Sequence, residues 1–132
     1  YKYSMKKILA EISLGELADK LTILEIKLKK IEDKESINII NKEYQSLNNI
    51  DLKGIDIKKY KALFNELKSV NEKLWDIENE KRLLEKNSDF EDKFIQVSRN
   101  VHFMNDKRAK IKKEINRTFG SNIEEVKEYT KY

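Results

Sequence analysis

The chain has no cysteine and no proline, only three glycines, and a single histidine among its 132 residues. Without cysteine there are no disulfides and no thiolate metal sites. One imidazole, His102, cannot build a histidine-based zinc centre. With no proline and so little glycine, few breaks are written into the chain, and long helices are expected. No apolar run approaches the roughly 18 residues of a membrane span. The opening YKYSMKKILAEI is briefly basic but lacks the apolar core and cleavage site of a signal peptide. The natural start is expected at Met5, with Tyr1 to Ser4 as added residues, and a cytoplasmic location follows by default.

Charged residues make up 39% of the chain and mean hydropathy is −0.78. The apolar residues are nevertheless strongly periodic, which argues against disorder and for one helical domain. The net charge of +4 is mild. Most of the excess is lysine with glutamate nearby, the composition of solvated helix faces.

The expected fold is all-α: an antiparallel helical bundle with heptad-like, coiled-coil-like seams over residues 13–132, preceded by an extended lead-in, residues 1–12. The clearest helix start is Ser13 with Glu16 three residues on, a capping box. Leu17, Leu21, Leu24, Leu28 and Ile31 then recur at heptad-like spacing to a helix end near Asp33. Ile23 and Ile26 lie off that seam and imply a second packing partner. Ile8, Leu9 and Ile12 of the lead-in are expected to pack under the bundle, Ile12 as the staple before the cap. A weaker helix is expected from Glu35 to Leu47, and a loop from Asn48 to Asp56 with Gly54 left-handed. Asp56 caps a third helix from Ile57 to about Lys86, whose seam runs Tyr60, Leu63, Leu67, Val70, Leu74, Ile77 and Leu84. Ser88 and Glu91 form a second capping box for a helix from Asp89 to Phe119. Ser121 and Glu124 form a third, for a short last helix ending near Tyr129. The third and fourth helices match in seam length and should form a hairpin turning at Asn87-Ser88, with the first helix packed across it.

Several polar residues sit on or beside these seams: Glu25, Asn71, Glu78, Asn105 and Arg108. Buried charge must be paired, so Arg108 is expected to meet Glu78 or Glu25. Such a layer either fixes helix register or lines a pocket between helices. His102 and Asp106, four apart, can share a helix face and join the pocket candidates. Glu16 and Asp19, three apart, form an E-x-x-D pair that could face a divalent metal with Asp76; magnesium or manganese is the cofactor of that reading, and none is needed otherwise. Arg99 to Arg117 carries seven Lys/Arg against two acids, with Lys110, Lys113 and Arg117 on one face as anion-binding candidates. No aromatic interleaving accompanies them, so nucleic acid is a minor reading.

The runs ISLGELADKLTILEIK, LKSVNEKLWDIENEKR and DFEDKFIQVSRNVHFMNDKRAKIKKEIN together resemble a family of small uncharacterised proteins from bacteria and their phages, a domain of unknown function. The likeness extends from Ile12 to the C-terminus. Its polar positions include Glu16, Asp19, Lys20, Glu25, Asn71, Trp75, Asp76, Glu78, Arg82, His102, Asn105, Asp106 and Arg108. The resemblance implies an association with cell-surface polysaccharide pathways. Glu16-Leu17-Ala18-Asp19 is also similar to the E-x-x-D helix of all-α nucleotide pyrophosphatases. Their companion E-E-x-x-E helix has no counterpart, because Asp76, Glu78 and Glu80 are spaced differently.

The reading taken from the sequence is a non-enzymatic helical module that self-associates as a homo-oligomer or binds another protein. The alternative is a metal-dependent enzyme on nucleotides or nucleotide sugars, with carboxylates converging between helices. A weak nucleic-acid binder comes third.

Overall fold

The computed structural model describes residues 6–132; the expected start at Met5 and the residues before it lie outside this range. Four helices follow one another: α1 (Leu14–Lys30), α2 (Lys34–Asn48), α3 (Ile57–Lys86) and α4 (Asp92–Thr118). There is no strand among the described residues, and no helix among them is long and apolar enough to cross a membrane. The fold is an all-α bundle.

Helix α1 is its centre, packing on α2, α3 and α4, whereas α2 leans on α1 alone. The apolar seam Leu17, Leu21 and Leu24 is buried, as the heptad spacing requires. A second stripe, Gly15, Ala18, Thr22 and Ile26, is buried on another side of the same helix. Its residues recur every three or four positions and are mostly small, which lets the α3–α4 hairpin approach closely. That approach is tightest at Gly15, where an added Cβ would lie 2.5 Å from the Lys112 carbonyl oxygen and 2.9 Å from Asn116 Oδ1. The contacts of residues 15, 16 and 19 with 116, 112 and 108 show α1 running antiparallel to α4.

The hairpin of α3 and α4 is the most extensive helix pairing. Tyr60, Leu63, Leu67, Val70 and Leu74 from α3 meet Ile111 and Ile115 from α4, with Ala18 of α1 closing the cluster. The bounds of α3 are those the Asp56 cap and the seam predict, and Asp56 Oδ1 accepts from the Lys59 amide at 3.2 Å.

Four local expectations are corrected. Only half of the first capping box forms: Ser13 Oγ accepts from the Glu16 amide at 3.1 Å, but the Glu16 carboxylate turns to Lys112 instead of back to the cap. Ser88 does not cap α4. It sits at φ 52° and ends α3, with the Asp89 amide reaching back to the Leu84 carbonyl and the Ser88 amide to Glu85, a Schellman closure. Helix α4 therefore starts later, at Asp92, without a side-chain cap, and Phe90 is exposed. Residues 121–132 form no helix, and the Ser121 hydroxyl accepts from the Leu14 amide of α1 at 3.1 Å instead of from an amide of its own segment. Finally, residues 6–12 carry no regular secondary structure, and Ile8, Leu9 and Ile12 lie exposed instead of packing under the bundle.

The Gly15 contact gives a direct test. Gly15→Ala should destabilise by about 1–3 kcal/mol through overpacking, despite alanine's better helix propensity. A urea midpoint that stays level or rises would show that α1 and α4 are not this close.

Candidate functional site

Asp19 is 1% exposed and lies at the middle of the bundle. It sits beside the small-residue stripe of α1, so its carboxylate meets the hairpin instead of solvent. Arg108 of α4 grips it with two bonds, Nε to Oδ1 at 2.9 Å and Nη2 to Oδ2 at 2.5 Å. Asn71 of α3 donates from Nδ2 to Asp19 Oδ1 at 2.9 Å and to Thr22 Oγ1 at 2.8 Å. The Thr22 hydroxyl itself donates to the Asp19 carbonyl at 2.7 Å. Lys112 stands 3.9 Å from Asp19 Oδ2 and binds Glu16 at 2.8 Å and Glu125 at 3.1 Å. One step further, Asn116 Oδ1 accepts from the Gly15 amide at 2.7 Å.

Burial by itself pushes the Asp19 carboxyl up, but the Arg108 and Asn71 hydrogen bonds and the charges of Arg108 and Lys112 outweigh it, holding the group below the usual carboxylate range. The hydrogen bond to Asp19 raises Arg108 in turn. Both partners are therefore charged at neutral pH.

The expected partner of Arg108 was Glu78 or Glu25, and the structure supplies Asp19 instead. Glu25 follows Asp19 by six residues, which turns it about 120° around the helix. There it binds Lys68 of α3 at 2.9 Å and accepts from the Tyr44 hydroxyl of α2 at 3.1 Å, a separate tie between three helices.

Beside the Asp19 layer a cavity of about 410 Å³ opens between three helices. Helix α1 contributes Ile23 and Ile26. Helix α3 contributes Asn71, Leu74, Trp75, Glu78, Asn79 and Arg82, and α4 contributes Asn105 and Arg108. Four of the six pocket candidates, Asn71, Glu78, Asn105 and Arg108, thus come together. The other two do not: Glu25 is on the far side of α1, and His102 is exposed on α4. His102 packs against Phe103 and Tyr132, and Asp106 accepts from the Tyr132 hydroxyl instead of from the imidazole.

Of the metal candidates, Glu16 and Asp19 converge, but on the cation Lys112. Asp76 is exposed, 3.9 Å from Lys30. No three His, Cys, Asp or Glu side chains gather in a metal-holding group among the described residues. Lys110, Lys113 and Arg117 do share one surface cavity of about 410 Å³, together with Glu124 and Glu125 of the C-terminal segment. Arg117 lies 3.7 Å from Glu124 there.

With this geometry in view, the comparisons with known proteins place the chain. The model of DUF6165, a family of unknown function, matches residues 7–132. The chain belongs to that family. No curated protein and no solved structure matches it.

Sequence reasoning missed Thr22, Lys112 and Asn116 as members of the layer, and Asn79 as part of the cavity wall. Lys112 and Asn116 are four apart beside the seam residues Ile111 and Ile115, a polar pair where α4 had to be covered. That was the available signal. The cavity lining contains no Ser, Thr, Cys or His, and its side chains offer hydrogen bonds, an aromatic face and charge, with Glu78 as its one carboxylate.

The layer has a defined pH signature. Asp19 has a lower pKa folded than unfolded, so its stabilising effect is complete above the unfolded value, about pH 4, and is lost as pH falls through the folded value. Asp19→Asn should cost about 3–5 kcal/mol at neutral pH by stranding Arg108, and should flatten the acid limb of stability. Urea unfolding of both proteins across that range measures this. A variant as stable and as acid-sensitive as wild type would remove Asp19 from the centre of the fold.

Proposed function

We propose that this protein is a helical binding module that holds a small molecule in the cavity between α1, α3 and α4. What supports this reading is the surplus of polar groups beyond the structural layer. Asp19, Arg108, Asn71 and Thr22 suffice to fix the register of three helices. They do not require Trp75, Glu78, Asn79, Arg82 and Asn105 to border open space. A cavity of this size, with an apolar floor of Ile23, Ile26 and Leu74 and convergent polar groups, has the make-up of ligand sites. Binding without catalysis fits a lining without a hydroxyl, thiol or imidazole. It also fits carboxylates that are dispersed, with Glu78 on the cavity wall and Glu16, Glu25 and Asp76 away from it.

The test is a thermal-shift panel of nucleotides, sugar phosphates, carboxylates and amines, with and without magnesium or manganese. A ligand at 100 times its Kd stabilises by about 2.7 kcal/mol. Glu78→Gln, an exposed position, should melt like wild type unliganded and change the ligand response. No shift from any class would leave the cavity a packing defect and end this reading.

A second reading, self-association, rests on a different feature. The Lys30–Asp76 contact marks how far α1 reaches along α3. Beyond it α3 continues from Ile77 to Lys86, roughly 15 Å, with only the start of α4 for company. On this arm Leu83, Phe90 and Ile95 are 57%, 53% and 55% exposed. Two copies pairing arm to arm would cover these residues. Sedimentation equilibrium should then show a dimer for wild type and a monomer for the double variant Leu83→Glu, Phe90→Glu. A wild-type monomer at the highest attainable concentration rules the pairing out.

A further inference from the structure

Resting on the binding reading above, we infer that the cavity takes a neutral planar lactam, a flat heterocycle with a CO–NH edge, stacked on Trp75 with its carbonyl on Arg108 and its ring N–H on Asn71. The Asn71 carbonyl oxygen is the key group. Asn71 is 5% exposed, and its amide nitrogen donates to Asp19 and Thr22. Its Oδ1 meets no donor among the described residues. The sealed-in side-chain atoms without a partner among those residues are Tyr60 Oη and Ser98 Oγ. Asn71 Oδ1 is therefore not closed off in the core, and it opens onto the cavity that Asn71 lines. An amide fixed by its nitrogen, with a bare acceptor towards open space, calls for a donor on the ligand.

Arg108 supplies the complementary half. A guanidinium has five N–H groups; Asp19 takes two of those on Arg108, and the other three have no acceptor among the described residues. Arg108 Nε and Asn71 Nδ2 both donate to Asp19 Oδ1, so the unused donors and the unused acceptor stand at one height of the bundle. The charge of Arg108 is already matched. An anion brought to the same guanidinium would face Asp19 as well. No second cation is free to offset that: Lys112 is committed to Glu16 and Glu125, and Arg82 lies eleven residues along α3 from Asn71, roughly 16 Å along the axis. A neutral carbonyl takes the free N–H groups without that repulsion. Arg108 is also held rigid by Asp19, which lowers the entropy lost on binding.

The neighbouring turns determine the shape. Trp75 follows Asn71 by four residues, about 6 Å further along the same face of α3. Asn105 precedes Arg108 by three on α4 and lines the same cavity. A flat ring on the indole therefore presents an edge to Asn71 and Arg108, with the Asn105 amide beside it and the apolar floor of Ile23, Ile26 and Leu74 below. A lactam carries its acceptor and its donor side by side in the ring plane, as this pair of residues requires. A hydrocarbon ring would leave both unpaired, and an open-chain amide would leave the indole uncovered. Indole stacking tolerates any flat ring, so the class is fixed by Trp75 and the edge by Asn71 and Arg108.

Trp75 is the only tryptophan in the chain, so its fluorescence reports on this cavity alone. Titrations with uracil, hypoxanthine, the forms of each methylated at every lactam nitrogen, and benzoate test the inference. Changing the ligand spares the protein, because an Asn71 or Arg108 variant would disturb Asp19. At least one lactam should change Trp75 emission saturably. Its methylated form, which keeps the ring and the carbonyl but has no N–H for Asn71, should bind about ten- to a hundredfold more weakly. Benzoate should bind more weakly than the lactam. Trp75→Leu keeps an apolar side chain without the ring face, and its melting temperature should no longer rise with the lactam. Equal affinity for the lactam and its methylated form overturns the inference. So does tighter binding of benzoate, or a Trp75→Leu protein that the lactam stabilises as it does wild type. If no lactam binds while another class in the thermal-shift panel does, the cavity is a site for something else and this inference fails alone. If nothing binds in either experiment, both fall.

Discussion

A carboxylate removed from water must be given back its solvation by the protein, and Asp19 imposes that demand on every long helix. Its oxygens are served by Arg108 and Asn71, with Lys112 close by, so α3 and α4 must each present a particular residue at a particular height against α1. A buried pair of this kind adds little net stability over a well-packed apolar contact, but breaking it is expensive. Its effect is on the alternatives. Sliding α1 by a turn against the hairpin would strand two charges in the core, so a sequence of repetitive apolar seams settles on one register.

The same layer shapes the surroundings of the cavity. Small residues on the α1 stripe pull the hairpin close at Gly15, and the ion pair holds it at Asp19. Further along, Ile23 and Ile26 share a cavity with the wider side chains of Trp75 and Arg82. Arg108 belongs to both worlds, with one edge on Asp19 and the rest on the cavity wall. Any molecule bound there would be read by a guanidinium that the core has already oriented, which is the preorganisation a binding site needs. The end of the hairpin beyond Asp76 lacks a third helix and the buried contacts that go with it, so it is the part of the long helices expected to open first.

Most of the secondary structure could be read because its signals are local. Asp56 caps a helix wherever it is followed by good formers, and the α3 seam ends where its apolar residues end. Ser88 and Ser121 show the limit of that logic. Each begins a capping-box pattern, yet Ser88 closes the helix before it and Ser121 caps a helix 107 residues away. A hydroxyl can accept for any amide that reaches it, and sequence spacing does not say which amide arrives first.

The candidate site divides in the same way. The sequence by itself determined that the protein is helical, that α1 carries more than one buried face, and that polar residues on the seams, Asn71, Asn105 and Arg108 among them, need partners. Hydrophobic periodicity and the cost of buried charge are properties of the residues and hold before any fold exists. Only the tertiary structure decided that Arg108 meets Asp19, that Glu25 belongs to Lys68 and Tyr44, and that Glu78, Trp75 and Arg82 border one cavity. Those outcomes depend on the rotation and height of one helix against another, and small residues such as Gly15, Ala18 and Thr22 set that geometry through contacts that no one-dimensional pattern contains.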